Sequence, residues 1–304
     1  MSHNSKAIVN DKLSPNMKSI FLKITVNTLL LAGFCMTAQA QKLKDVQEGS
    51  ITAPTNIKVD GRNTEWNDTF QAENKRTSIL YTISNDDKNL YLVIKSTDIA
   101  NNSKILAGGI TLAINTEGKK KEKESITLTY PLINRPSQGG GQGGGRRQMG
   151  AIMGGGAGGT QTPEQRDSMM AVMQKRQLSQ VKEIKISGFK KTTDTLISVY
   201  NDLGIKAFAS IGNDKAFFYE LAIPFEELGI SKDAPKEFAY NIKLNGLQFQ
   251  RPDGGGGDGD GGGRGGFGGN RGGGGGGNFG PRRSGIDFQA LTSPTDFWGK
   301  YILK

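Results

Sequence analysis

The 304-residue chain contains one cysteine, one histidine and two tryptophans. Cys35 and His3 both lie before residue 41, in a stretch that reads as a removable leader. Without it the chain has no thiolate nucleophile, imidazole base, disulfide or His/Cys metal site. Any catalysis would then rest on carboxylates, Lys, Tyr or Ser. No segment ends in Gly-Lys-Ser/Thr, so a phosphate-cradling P-loop is excluded. The glycine runs have no three-residue period, which excludes a collagen triple helix.

Residues 17–40 carry the leader signature. Lys18 and Lys23 form a basic start, Ile24 to Met36 a mostly apolar stretch, and Ala38-Gln39-Ala40 a small-x-small cleavage site. This is the pattern of a secretory signal peptide, with Met17 a candidate true start. The apolar stretch is short of the ~20 residues that span a bilayer, so no membrane span is expected in the mature chain. Phe34 occupies the place where a lipobox needs a small residue before Cys35, which argues against lipidation. The expected destination is the periplasm or the cell exterior.

What the chain has in excess is glycine, 44 residues, and positive charge, +10 overall. Thirty-two of the glycines fall in residues 139–159 and 253–285. Both tracts read as disordered, low-complexity insertions. Loop closure grows costly only slowly, at about 0.6 kcal/mol per doubling of length, so a stable domain could carry both. Residues 41–304 are therefore expected to form one domain interrupted by the two tracts.

Elsewhere the pattern is one of short strands. Ser78–Ser84 alternates Ile79, Tyr81 and Ile83 on one face; Asn89–Lys95 does the same with Leu90, Leu92 and Ile94. The polar Asn85–Lys88 between them predicts a hairpin turn. Gly109–Asn115 and Ser125–Tyr130 predict a second hairpin whose charged tip, Lys119–Glu124, suits a solvated turn. Further strands are expected at Glu183–Phe189, Thr195–Tyr200, Ile205–Ser210, Ala216–Ala222, Phe238–Phe249 and Asp296–Leu303. Thr162-Pro163-Glu164-Gln165 is a capping-box start for a helix reaching about Gln180. Met169, Met170 and Met173 are expected as its apolar packing. Pro224–Gly229 reads as one helical turn stopped by glycine. The fold class that follows is all-β, an antiparallel β-sandwich with one inserted helix and two long glycine-rich disordered loops.

Candidate chemistry is sparse. The adjacent pairs Glu226/Glu227 and Asp86/Asp87 are not preset to share a proton, because consecutive side chains diverge in strands and helices alike. No catalytic residue and no cofactor is assigned. Asp253, Asp258 and Asp260 could offer a weak calcium site, but they lack the repeated register or terminal bidentate Glu of known loops. Arg264, Phe267, Arg271, Arg282 and Arg283 resemble RGG segments, in which arginine grips phosphate and phenylalanine stacks on bases. Export would keep them from intracellular nucleic acid and leave extracellular polymers as partners.

Several stretches in order carry a family resemblance. They are Ile57–Gly61 with Glu65-Trp66, then Tyr81–Leu92, Gly109-Ile110 with Ile114-Asn115, Tyr219–Gly229, and Phe297-Trp298. Together they resemble the DOMON-like β-sandwiches related to carbohydrate-binding module family 9, most closely the exported Bacteroidetes-type proteins. The resemblance implies a two-sheet sandwich that binds ligands, commonly sugars, at one face or end. Family members clamp sugar between exposed aromatics, whereas Trp66 and Trp298 are both expected here as packing residues. The expected function is non-catalytic carbohydrate or glycan binding. The alternatives are an envelope structural or adhesion protein working through its Gly/Arg-rich loops, and a carboxylate-based glycan hydrolase.

Overall fold

A computed structural model describes residues 42–133, 162–247 and 288–304. The leader, both glycine tracts and the end of the Phe238–Phe249 segment lie outside them. The described residues from Leu43 onward form one compact unit. Two antiparallel sheets face each other. The first is ordered β1 (Ala72–Asn74), β2 (Ile79–Asn85), β3 (Asn89–Ser96), β9 (Phe217–Pro224), β8 (Lys206–Ile211). The second is ordered β11 (Thr295–Tyr301), β10 (Phe238–Leu244), β4 (Ile110–Asn115), β5 (Ile126–Tyr130), β6 (Glu183–Ser187), β7 (Leu196–Ser198). The fold is the all-β sandwich that the strand spacing implies.

Alternation decides which side chains enter the core. Ile79, Tyr81 and Ile83 of β2, with Leu90, Leu92 and Ile94 of β3, meet Ile110, Leu112 and Ile114 of β4 and Phe238, Tyr240 and Ile242 of β10 between the sheets. Two hydroxyls in this apolar layer satisfy each other: Tyr81 and Tyr240 share a 3.0 Å hydrogen bond. The Gln47 N–H also donates to Tyr81 at 2.8 Å, whereas the Tyr219 hydroxyl, equally buried in this core, has no partner among the described residues.

The first sheet is buried on its other face as well. Ala53, Trp66 and Phe70, from the segment preceding β1, lie on Tyr91, Val93, Phe218 and Ala222. One carboxylate sits among them. Glu220 of β9, only 2% exposed, accepts the Trp66 indole N–H at 2.9 Å and the Asp60 and Gly61 N–H groups at 3.0 and 2.7 Å. Gly61 has φ 77° and rests on the Phe208 ring, where a side chain would collide. Trp66 thus has the packing role expected of it.

Helices fill the ends. Helix α1 (Ile99–Gly108) carries the chain from β3 in one sheet to β4 in the other, capped by Asp98 and plugging the core with Ile105 and Leu106. With two asparagines and weak periodicity, this segment's helical signals in sequence are only its Asp98 start and Gly109 stop. Helix α2 (Pro163–Leu178) has the expected capping box between Thr162 and Gln165 and lies against β8 and α1. Its methionines do not all pack: Met169 and Met173 face solvent and only Met170 turns inward. Two further short α-helices among the described residues are α3 (Phe225–Leu228) and α4 (Phe288–Thr292). Among the described residues no helix is long and apolar enough to cross a membrane.

Candidate ligand groove

The β2–β3 turn is built by Asp86. Its Oδ1 accepts the Lys88 and Asn89 N–H groups at 2.7 and 2.6 Å, and its Oδ2 accepts the Tyr91 hydroxyl at 2.7 Å. Burial alone would push this carboxyl up, but the Tyr91 hydroxyl and the two backbone donors outweigh it and hold it below its usual range. A depressed carboxyl pKa contributes stability that is present above the unfolded value of about 3.9 and is lost as pH falls through the folded value. Solvent reaches this turn and screens it, so D86A is expected to cost about 1 kcal/mol at neutral pH. The gap to wild type should close in acid, as read by urea unfolding across pH.

The turn is fastened to the next element. The Phe225 N–H, first in α3, donates to Lys88 O at 2.8 Å. Pro224 caps α3, and Gly229 ends it in the left-handed region at φ 64°. Between this helix and the hairpin turn opens a groove of about 770 Å³. Pro224, Phe225 and Ile230 supply its apolar lining; Asp87, Lys88, Asn89, Glu226, Ser231, Lys232 and Asp233 supply the polar groups.

Three of those groups take part in ion pairs. Lys232 Nζ meets Asp87 at 2.6 Å across the groove. Lys191, from the β6–β7 connection, reaches Glu226 and Glu227, each at 2.9 Å. The hydrogen bonds it donates to Glu226 and Glu227 hold the Lys191 ammonium above its usual range. Glu227 is not the solvated helix-turn residue its sequence context suggests. Its side chain is 2% exposed, with Oε2 unpartnered among the described residues. The two glutamates differ sharply in exposure, yet both carboxylates converge on one lysine, which the divergence expected of consecutive side chains did not foresee. The groove thus joins an apolar lining to a rim of carboxylates, ammonium groups and an amide.

Trp298 is not a core residue. In β11, Phe297, Gly299 and Tyr301 face inward, so Asp296, Trp298 and Lys300 face outward, and Trp298 is half-buried on the outer face. The alternation of Thr295–Tyr301 carried that signal, but sequence order alone hid which face was the inner one. Asp253, Asp258, Asp260, Arg264, Phe267, Arg271, Arg282 and Arg283 lie outside the described residues. Among those described, no group of three or more His, Cys, Asp or Glu could hold a metal ion. No protein-family model matches the chain, and no curated protein matches it in sequence.

Proposed function

We propose that this is an exported, non-catalytic binding protein that takes a carbohydrate or glycan in the groove between the β2–β3 turn and α3. The observation that carries the reading is the groove itself, about 770 Å³, with charged and amide groups arranged around Pro224, Phe225 and Ile230. Two of its carboxylates already pair with lysines, and such groups accept hydrogen bonds from ligand hydroxyls. The ordered motifs that resemble family 9-like sandwiches support a sugar as the ligand class. The basic, apolar and small-residue order of residues 17–40 supports export.

A glycan array probed with the purified mature chain tests the ligand class, followed by calorimetry on the best hit. E226A and N89A are each expected to weaken that hit by about tenfold, the loss of one or two hydrogen bonds. Binding to no glycan, or binding untouched by either substitution, overturns the assignment to this groove. N-terminal sequencing of the exported protein should begin at Gln41.

A further inference from the structure

Strand β11 ends the six-stranded sheet. It pairs residue for residue with β10 over its whole length, from Leu244↔Thr295 to Phe238↔Tyr301, and has no other strand partner among the described residues. The other sheet ends differ. β1 and β7 are three residues long, and β8 is met by α2. A regular seven-residue edge leaves a row of unpaired backbone N–H and C=O groups, which natural edges usually blunt with proline, a bulge or repelling charge. β11 has neither proline nor bulge. Its only charges are Asp296 and Lys300, both on the outer face, two residues to either side of Trp298.

That placement is self-complementary. An antiparallel pairing of β11 with β11 of a second copy, about a two-fold axis through Trp298, sets Asp296 of each copy opposite Lys300 of the other. It repeats the attraction twice and brings no like charges together. Trp298 meets Trp298 on the same outer face. On the inner face Phe297 falls opposite Gly299, a large residue against a position with no side chain. Residues directly opposite in an antiparallel pair have Cβ atoms about 5 Å apart, close enough for all these contacts. We propose that the chain forms a two-fold dimer through β11, joining two six-stranded sheets into one continuous sheet.

Within one chain, Asp296 accepts the Asn241 amide at 2.8 Å and lies 3.7 Å from Arg76, and Lys300 contacts Glu237 at 2.5 Å. At 33% and 48% side-chain exposure, Asp296 and Lys300 make solvent-screened ion pairs, and such pairs contribute about 1 kcal/mol or less, so both can exchange partners.

Sedimentation of the purified chain over a wide concentration range tests the dimer. Wild type is expected to self-associate. K300E sets a second carboxylate against Asp296 at both ends of the pairing, and D296K sets a second ammonium against Lys300 at both. Each should weaken association by about tenfold, from two repulsive pairs. Mixing the two variants restores opposite charges at all four positions, so a heterodimer should form from two weakly associating chains. Its formation also certifies that both variants are folded. A monomeric wild type, a K300E dimer as strong as wild type, or a mixture that does not associate would each overturn the proposal. None of these outcomes depends on a groove ligand, so this test and the glycan test fail separately.

Discussion

E220A is expected to destabilise the protein by about 3 kcal/mol, because it strands three N–H donors at once. The indole of Trp66 and the amides of Asp60 and Gly61 all end on one carboxylate beneath the segment that covers the first sheet. Truncation leaves these donors without their acceptor, the Trp66 indole in a buried position and the two amides in part-buried ones. E220Q should not rescue fully, since an amide places an N–H₂ group where an acceptor is needed. Chemical denaturation followed by tryptophan fluorescence reads both. A loss of under about 0.5 kcal/mol for E220A, the range of an ordinary surface substitution, would refute this account.

The same carboxylate should give the protein a pH signature. Burial, only partly offset by the Trp66, Gly61 and Asp60 donors, pushes the Glu220 carboxyl up to about 7. For an acid whose folded pKa exceeds its unfolded value, the folded state holds the proton more tightly. Its contribution is complete below the unfolded pKa and is lost as pH rises through the folded one. Wild type is therefore expected to lose about 2 kcal/mol between mildly acid and mildly alkaline pH, with E220Q showing a flatter profile. This runs opposite to Asp86, whose contribution is lost on the acid side, so the two variants separate the two slopes.

G108A is expected to cost about 3 kcal/mol through backbone collision. The last residue of α1 lies against the chain as it leaves β10, and a methyl group at Gly108 would fall on the Gly246 carbonyl. No side chain can rotate away to make room. The Asn245 amide, which bonds Gly108 O, Gly109 O and Thr111 Oγ1 at 2.9, 3.3 and 2.8 Å, would be displaced with it. Gly49, with nothing within 4 Å and no positive φ, is the control: G49A should be within about 0.5 kcal/mol of wild type. Equal midpoints for the two variants in urea would show that the α1–β10 contact is not close-packed.

How much of this was legible follows from the range of each signal. The hairpin of β2 and β3 could be read because Ile79, Tyr81 and Ile83, then Leu90, Leu92 and Ile94, alternate around a polar turn. The capping box at Thr162 is likewise a four-residue pattern that encodes its own geometry. α1 was hidden because a crossing helix packed at both ends needs little periodicity of its own, so Asn102 and Lys104 can be buried in it. Glu220 was hidden because its partners, Asp60, Gly61 and Trp66, are remote in sequence. Its only local trace is a carboxylate inside the apolar run Phe217–Ile223. The groove was half legible. Its turn and its helical stop were expected, but the reach of Lys191 from the other sheet's connection to Glu226 and Glu227 is a product of the fold.

The pairing of β3 with β9 has a consequence for the order in which the molecule can be made. Leu92 lies opposite Leu221, so the middle of the first sheet cannot close until the chain has been made well past its midpoint. Until then the β2–β3 hairpin has no inner partner in its own sheet, and Trp66 has no Glu220 to bind. Contacts so distant in sequence slow folding. A chain that stays open while it is being made is also one that can still be threaded, unfolded, through a narrow passage.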